Sequence, residues 1–255
     1  MKSQKEPMIR SAKTLLNCSI ATTDGEEGHL NDLLFDEATW RLEYLIVRTG
    51  PWLLGRQVLL GFDVLHAERN EEDIPTVSVS SQEIRESPDV NTTLPISREA
   101  ELLLAKHWKW ATPTSGPLSS ETAGAITLEA SAEGKAMSEK ATESRLRSIK
   151  EVKGYAISTP DGELGHLDDL LFDQDRYLRY AVADTRNWFP GKHVLLPIGC
   201  IECIRWSDKS VHAWPSRDAI RDAPEYDPDK PVTPADAEVL QNHFARVCPS
   251  GETTP

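Results

Sequence analysis

The apolar positions fall in short runs broken by turn residues. Ser19-Ile20-Ala21-Thr22-Thr23 is β-branched and stops at Asp24-Gly25. Asp-Gly between apolar runs predicts a hairpin, because Gly accepts a positive φ. Residues 30–35, 42–47, 57–60 and 76–79 supply further runs, with Gly50-Pro51 at one of the turns between them. Many short strands at regular spacing predict a mainly β fold, a small barrel or sandwich. A short helix is expected over 81–86. A longer amphipathic helix opens at Ser97-Arg98-Glu99-Ala100-Glu101.

The same pattern then recurs. Residues 24–36, Asp-Gly-Glu-Glu-Gly-His-Leu-Asn-Asp-Leu-Leu-Phe-Asp, return at 161–173 with eleven of thirteen positions identical, an offset of 137. After one deletion the offset is 136. Leu42-Glu43-Tyr44 then matches Leu178-Arg179-Tyr180, and Trp52-Leu53-Leu54-Gly55-Arg56 matches Trp188-Phe189-Pro190-Gly191-Lys192. Ile84-Arg85-Glu86-Ser87-Pro88 matches Ile220-Arg221-Asp222-Ala223-Pro224, and His107-Trp108 matches His243-Phe244. An offset this long predicts tandem domains, not a solenoid. Residues 8–110 form one repeat with its terminal helix, and 148–247 form the other. Residues 111–147, rich in Ala, Ser, Thr, Gly and Glu, are expected to be a linker, and 248–255 a disordered tail.

Five motifs occur in both copies: the Asp-Gly hairpin, Gly-His-Leu-x-Asp-Leu-Leu-Phe-Asp, a Tyr-plus-apolar strand, Trp-x-x-Gly-[Arg/Lys]-x-Val-Leu-Leu, and Ile-Arg-[Glu/Asp]-x-Pro. As a set they resemble the PRC-barrel proteins, a family that includes the cytoplasmic domain of the photosynthetic reaction-centre H subunit and a ribosome maturation factor. More narrowly, the chain is similar to soluble bacterial proteins with two such barrels. The resemblance implies a small, mostly antiparallel β-barrel for each copy, followed by a short helical segment. It implies no catalytic residues. The H subunit has a membrane helix, and the maturation factor has one barrel beside a different domain, so neither role follows from the shared fold.

The chain has 255 residues and a net charge of −13. Residues 18–110 hold 8 basic and 17 acidic groups, net −9; residues 155–246 hold 10 and 16, net −6. The acidity therefore belongs to the repeats. It argues against nucleic acid, which demands a basic face, and favours a protein partner with a basic surface. No apolar stretch is long enough to span a membrane. The N-terminal residues lack the apolar core of a signal peptide. Four cysteines are too few for a disulfide scaffold, so a reduced, cytoplasmic protein is expected.

Candidate chemistry is sparse. No nucleophile elbow, P-loop or dinucleotide fingerprint occurs, so no catalytic residue and no cofactor is expected. His29, Asp32 and Asp36, with His166, Asp169 and Asp173, could hold a metal or move protons. Strand positions three apart, however, point to opposite faces. The plainer reading has Asp32 and Asp169 accepting backbone hydrogen bonds, while Asp36 and Asp173 start turns. Cys200-Ile201-Glu202-Cys203 is read as two core cysteines, because repeat 1 carries Val64 and Ala67 there; Cys18 and Cys248 look incidental. Trp52 and Trp188 either anchor a partner or close one end of each barrel. With the acidic hairpins at Asp24, Glu26, Asp161 and Glu163, they form the expected interaction surface of a non-enzymatic adaptor. Two alternatives are a ligand or metal site at a pseudo-symmetric barrel pair, using His29 and His166, and a photosynthetic-complex accessory by family analogy. Oligomeric state is left open.

Overall fold

The computed structural model describes residues 9–16, 18–69, 74–88, 103–104, 106–108, 145–185 and 192–248. In chain order the elements begin with β1 (Arg10–Ser11), α1 (Ala12–Leu15), β2 (Ser19–Ala21), β3 (Glu27–Asp36) and β4 (Arg41–Thr49). Next come β5 (Gln57–Gly61), β6 (Leu65–Arg69), β7 (Pro75–Val77), α2 (Ser81–Glu86), β8 (Leu146–Ser148) and α3 (Ile149–Val152). The remainder are β9 (Ala156–Thr159), β10 (Gly162–Phe172), β11 (Leu178–Asp184), β12 (His193–Pro197), β13 (Ile201–Arg205), β14 (Ser210–Ala213), α4 (Arg217–Arg221), β15 (Glu225–Tyr226) and α5 (Pro234–Phe244). The fold is mainly β, as the short apolar runs predict.

Two compact units emerge. The first-repeat unit holds Ser19–Ala38 and Tyr44–Arg147; the second-repeat unit holds Met1–Cys18, Thr39–Glu43 and Ser148–Pro255. The units follow the sequence repeats except in two places. The leading segment 9–18 and the turn 39–43 belong to the unit of the second repeat.

In the first-repeat unit the sheet runs β5-β4-β3-β2-β7-β6, with β8 also on β3. In the second it runs β13-β14-β9-β10-β11-β12-β15, with β1 also on β10. Read from β5 and β12, the order is the same, and each copy has one parallel pair, β2 with β7 and β9 with β14. Among the described residues neither path closes on itself, so these are open sheets where closed barrels were expected.

A helix covers the apolar face instead. In the first-repeat unit Leu34, Tyr44, Ile46, Leu59, Leu104 and Leu146 form one buried cluster, with Trp108 packed against it. In the second, α5 buries Leu240 and Phe244, one offset of 136 from Leu104 and Trp108. Thr233 caps α5 in a capping box with Asp236, and Pro234 sits in its first turn. The expected Ser97 start of the earlier helix lies outside the described residues, as do the linker up to 144 and the tail from 249.

The cysteine reading is corrected here. Cys200 is bonded to Cys248, while Cys203 and Cys18 are free thiols. Cys248 is not incidental: the chain past α5 returns to the 3-10 turn Ile198–Cys200 at the foot of β12. A spacing argument looks for partners nearby in sequence and misses one 48 residues away.

Candidate functional site

The loop between β4 and β5 is exposed yet closely held by hydrogen bonds. Pro51–Leu53 form a 3-10 turn, and Leu54 ends it in the left-handed region at φ 54°. Backbone bonds lock it: Leu53 N–H and Gly55 N–H both donate to Gly50 O at 3.2 Å, and Arg56 N–H donates to Leu53 O at 3.0 Å. Trp52 Nε1–H donates to Glu27 O at 2.8 Å, and Gly50 N–H reaches the same carbonyl at 3.1 Å. The Arg85 guanidinium lies 5.5 Å over the Trp52 ring. Half-buried Trp52 is thus a fixture of the loop, tying it to the start of β3. The exposed apolar group is its neighbour: Leu54 is 97% exposed. Trp188, the expected counterpart of Trp52, lies outside the described residues.

The acidic hairpins work differently from the expectation of a free charged surface. Asp24 accepts from Thr22 Oγ1 at 2.7 Å, from Ser81 N–H at 2.9 Å and from Ser81 Oγ at 2.6 Å. The Ser81 hydroxyl, then the Thr22 hydroxyl, holds its carboxyl far below the ordinary range. Asp161 repeats this: it accepts from Arg217 N–H and from Thr159 Oγ1, both at 2.8 Å, which lowers its pKa. Each aspartate staples its hairpin to the first residue of a short helix, α2 or α4. Glu26 is half-buried and Glu163 is exposed.

His29 and Asp32 do not converge. Along β3 Gly28, Leu30 and Asp32 are buried while Glu27 and His29 are exposed, the two faces of one strand. Asp32 accepts from Leu33 N–H at 2.8 Å, and Ser19 Oγ lies 3.5 Å from His29 Nδ1. In β10 the register shifts between Leu167 and Asp169, a bulge at Asp168. His166 is still exposed and Asp169 buried. Asp169 accepts from Ser11 Oγ at 2.5 Å, Lys13 N–H at 2.8 Å and Leu170 N–H at 2.7 Å. Burial nonetheless pushes its pKa up. Among the described residues no group of three His, Cys, Asp or Glu could hold a metal.

Asp36 and Asp173 open the next turns, as expected. Asp36 accepts from Ala38 N–H at 2.8 Å; Asp173 accepts from Asp175 N–H at 2.9 Å and Tyr177 N–H at 3.0 Å. Sequence reasoning did not single out Leu54, which entered only through the match of the two repeats. It also missed Ser11 and Lys13. Their signal is the recurrence of Arg10-Ser11-Ala12-Lys13 as Arg147-Ser148-Ile149-Lys150.

The hairpin, the Trp52 loop and the capped α2 all lie in one segment with a recognisable family pattern. Residues 8–83 match the PRC-barrel domain. The matched stretch runs from the β1 arm into α2. Among curated proteins none matches the chain. Among the described residues no helix is long and apolar enough to cross a membrane.

Proposed function

We propose that the chain is a non-enzymatic protein-interaction module made of two PRC-type repeats, whose partner is a protein with a basic surface. The 136–137 offset repeat and the shared strand order support the duplication. The net charge of −13, concentrated in the repeats, supports a basic partner. One observation carries the interaction reading: Leu54 stands 97% exposed on a loop whose backbone is already fixed. A fixed apolar group loses little entropy when a partner covers it. The Cys200–Cys248 disulfide weighs against the reducing cytoplasm that the composition suggested, so the proposal fixes no compartment.

The test is affinity purification with mass spectrometry, comparing wild type with Leu54→Ser. Burying one leucine contributes about 1.5–3 kcal/mol, so a partner seated on Leu54 is expected to bind roughly ten- to a hundredfold more weakly to the variant. The thermal transition should be unchanged, because Leu54 is almost fully exposed. An identical captured set at identical stoichiometry would overturn the assignment.

A further inference from the structure

The leading segment of each repeat is built into the sheet of the other. β1 pairs antiparallel with β10, Arg10 opposite Phe172 and Ser11 opposite Leu171. Ser11 Oγ and Lys13 N–H both donate to Asp169, and Lys13 Nζ reaches Asp168 at 2.7 Å. Ala12 is fully buried. The turn 39–43 adds to the same unit: Leu42 N–H donates to Arg176 O at 2.9 Å, and Leu178 N–H to Trp40 O at 2.7 Å.

The reverse exchange occurs in the first-repeat unit. β8, which leads into the second repeat, pairs with β3. Leu146 enters the buried cluster with Leu34 and Leu59. The Arg147 guanidinium grips Glu37 through two bonds, at 2.7 and 2.9 Å. Glu37 N–H donates to Arg145 O at 3.0 Å. The matched PRC-barrel domain starts at residue 8, so by sequence the arm belongs to the first repeat, although it lies in the unit of the second.

We infer that the two halves of the chain are a non-covalent pair held by exchanged arms, with the segment between them dispensable for association. Each half presents an Arg-Ser arm and a strand edge that takes the arm of the other. The partner of the β10 edge is therefore residues 9–16, and the partner of the β3 edge is residues 145–147. The covalent connection between the two halves raises their effective concentration.

The experiment places a specific protease site after Ala123 in the full-length protein and cuts it. Size exclusion with light scattering at micromolar concentration should still report one species near 28.4 kDa, although a denaturing gel shows two bands. Removing residues 1–16 through a second site should raise the dissociation constant by at least about tenfold. In the cut chain, Lys13→Glu sets a third negative charge beside Asp168 and Asp169, and should weaken association by about tenfold. Lys13→Glu with Asp168→Lys should recover most of the loss. Separation or aggregation of the halves on cutting would overturn the inference. So would association that is indifferent to arm removal, or a Lys13→Glu defect that the paired reversal does not repair. None of these outcomes depends on Leu54, so they are separable from a failure of the proposed function.

Discussion

Cutting the Cys200–Cys248 bond tests the second-repeat unit most directly. The bond joins residues 48 apart in sequence. In the chain-entropy account, a loop of that length restrains the unfolded chain by about 4 kcal/mol at 25 °C. The native side should change little when the bond is lost, because α5 has other anchors. Leu240 and Phe244 are buried, His243 Nε2 lies 2.7 Å from Ala219 O, and the Thr233–Asp236 box holds the helix start. The cost of Cys248→Ser should therefore lie at roughly 2–4 kcal/mol, most of it expressed in the unfolded state.

Urea unfolding followed by far-ultraviolet circular dichroism reads this as a midpoint lowered by roughly 1–2 M, given a slope of about 2 kcal/mol/M. Cys203→Ser should leave the midpoint in place. Thiol titration of the unfolded, unreduced protein should find the two free cysteines, Cys18 and Cys203, with the other pair appearing only after reduction. A midpoint insensitive to Cys248→Ser would refute the reasoning. So would four reactive thiols before reduction, or a loss caused by Cys203→Ser.

Two further outcomes follow from single residues. Asp169 has a raised pKa in the fold, so as pH falls from neutral towards about 4 the folded state takes up a proton that the unfolded state does not. This group alone then makes the fold more stable at mildly acid pH. Asp169→Asn should be at least as stable as wild type at pH 7 and should lose that trend, so parallel stability–pH curves for the two proteins would count against it. Gly165 has φ +70°, and an added Cβ would lie 2.0 Å from Asp184 O; Gly25 has φ +85° with nothing within 4 Å. Gly165→Ala should cost more than about 3 kcal/mol and Gly25→Ala about 1 kcal/mol, and equal thermal shifts would contradict the close approach.

Much of the frame is legible in the sequence because it rests on local chemistry. Asp-Gly turns, Asp36 and Asp173 at the starts of the next turns, and the terminal helix that packs Trp108 against a core or buries Phe244 all act within a few residues or along one face. What stays hidden depends on distant partners. The tie of Asp24 to Ser81 spans 57 residues and that of Ser11 to Asp169 spans 158. No periodicity announces either one. Asp24 and Asp161 looked like surface charges because their type and neighbours are those of an exposed hairpin. Only the helix start folded against each shows that the carboxylate is already occupied. Nothing in the residue types singles out Leu54, since whether a leucine in Trp52-Leu53-Leu54 is buried depends on the path of the backbone. Here the run closes into a 3-10 turn and turns its last leucine outwards.

The duplication also separates residues the fold requires from residues it merely tolerates. Asp24 and Asp161 make the same staple, Leu104 and Leu240 both reach a core, and Gly28 and Gly165 both meet a neighbouring backbone oxygen, Arg48 O or Asp184 O, too closely for a side chain. Other matched positions differ. Val64 is buried apolar surface, whereas Cys200 at the equivalent place is a covalent anchor for the chain beyond α5. One frame thus accepts either a packed or a bonded fastener there. Leu54 falls in the tolerated class, because the second copy has Pro190 at that position. Because the repeat does not require a leucine there, Leu54→Ser tests the proposed contact without disturbing the shared frame.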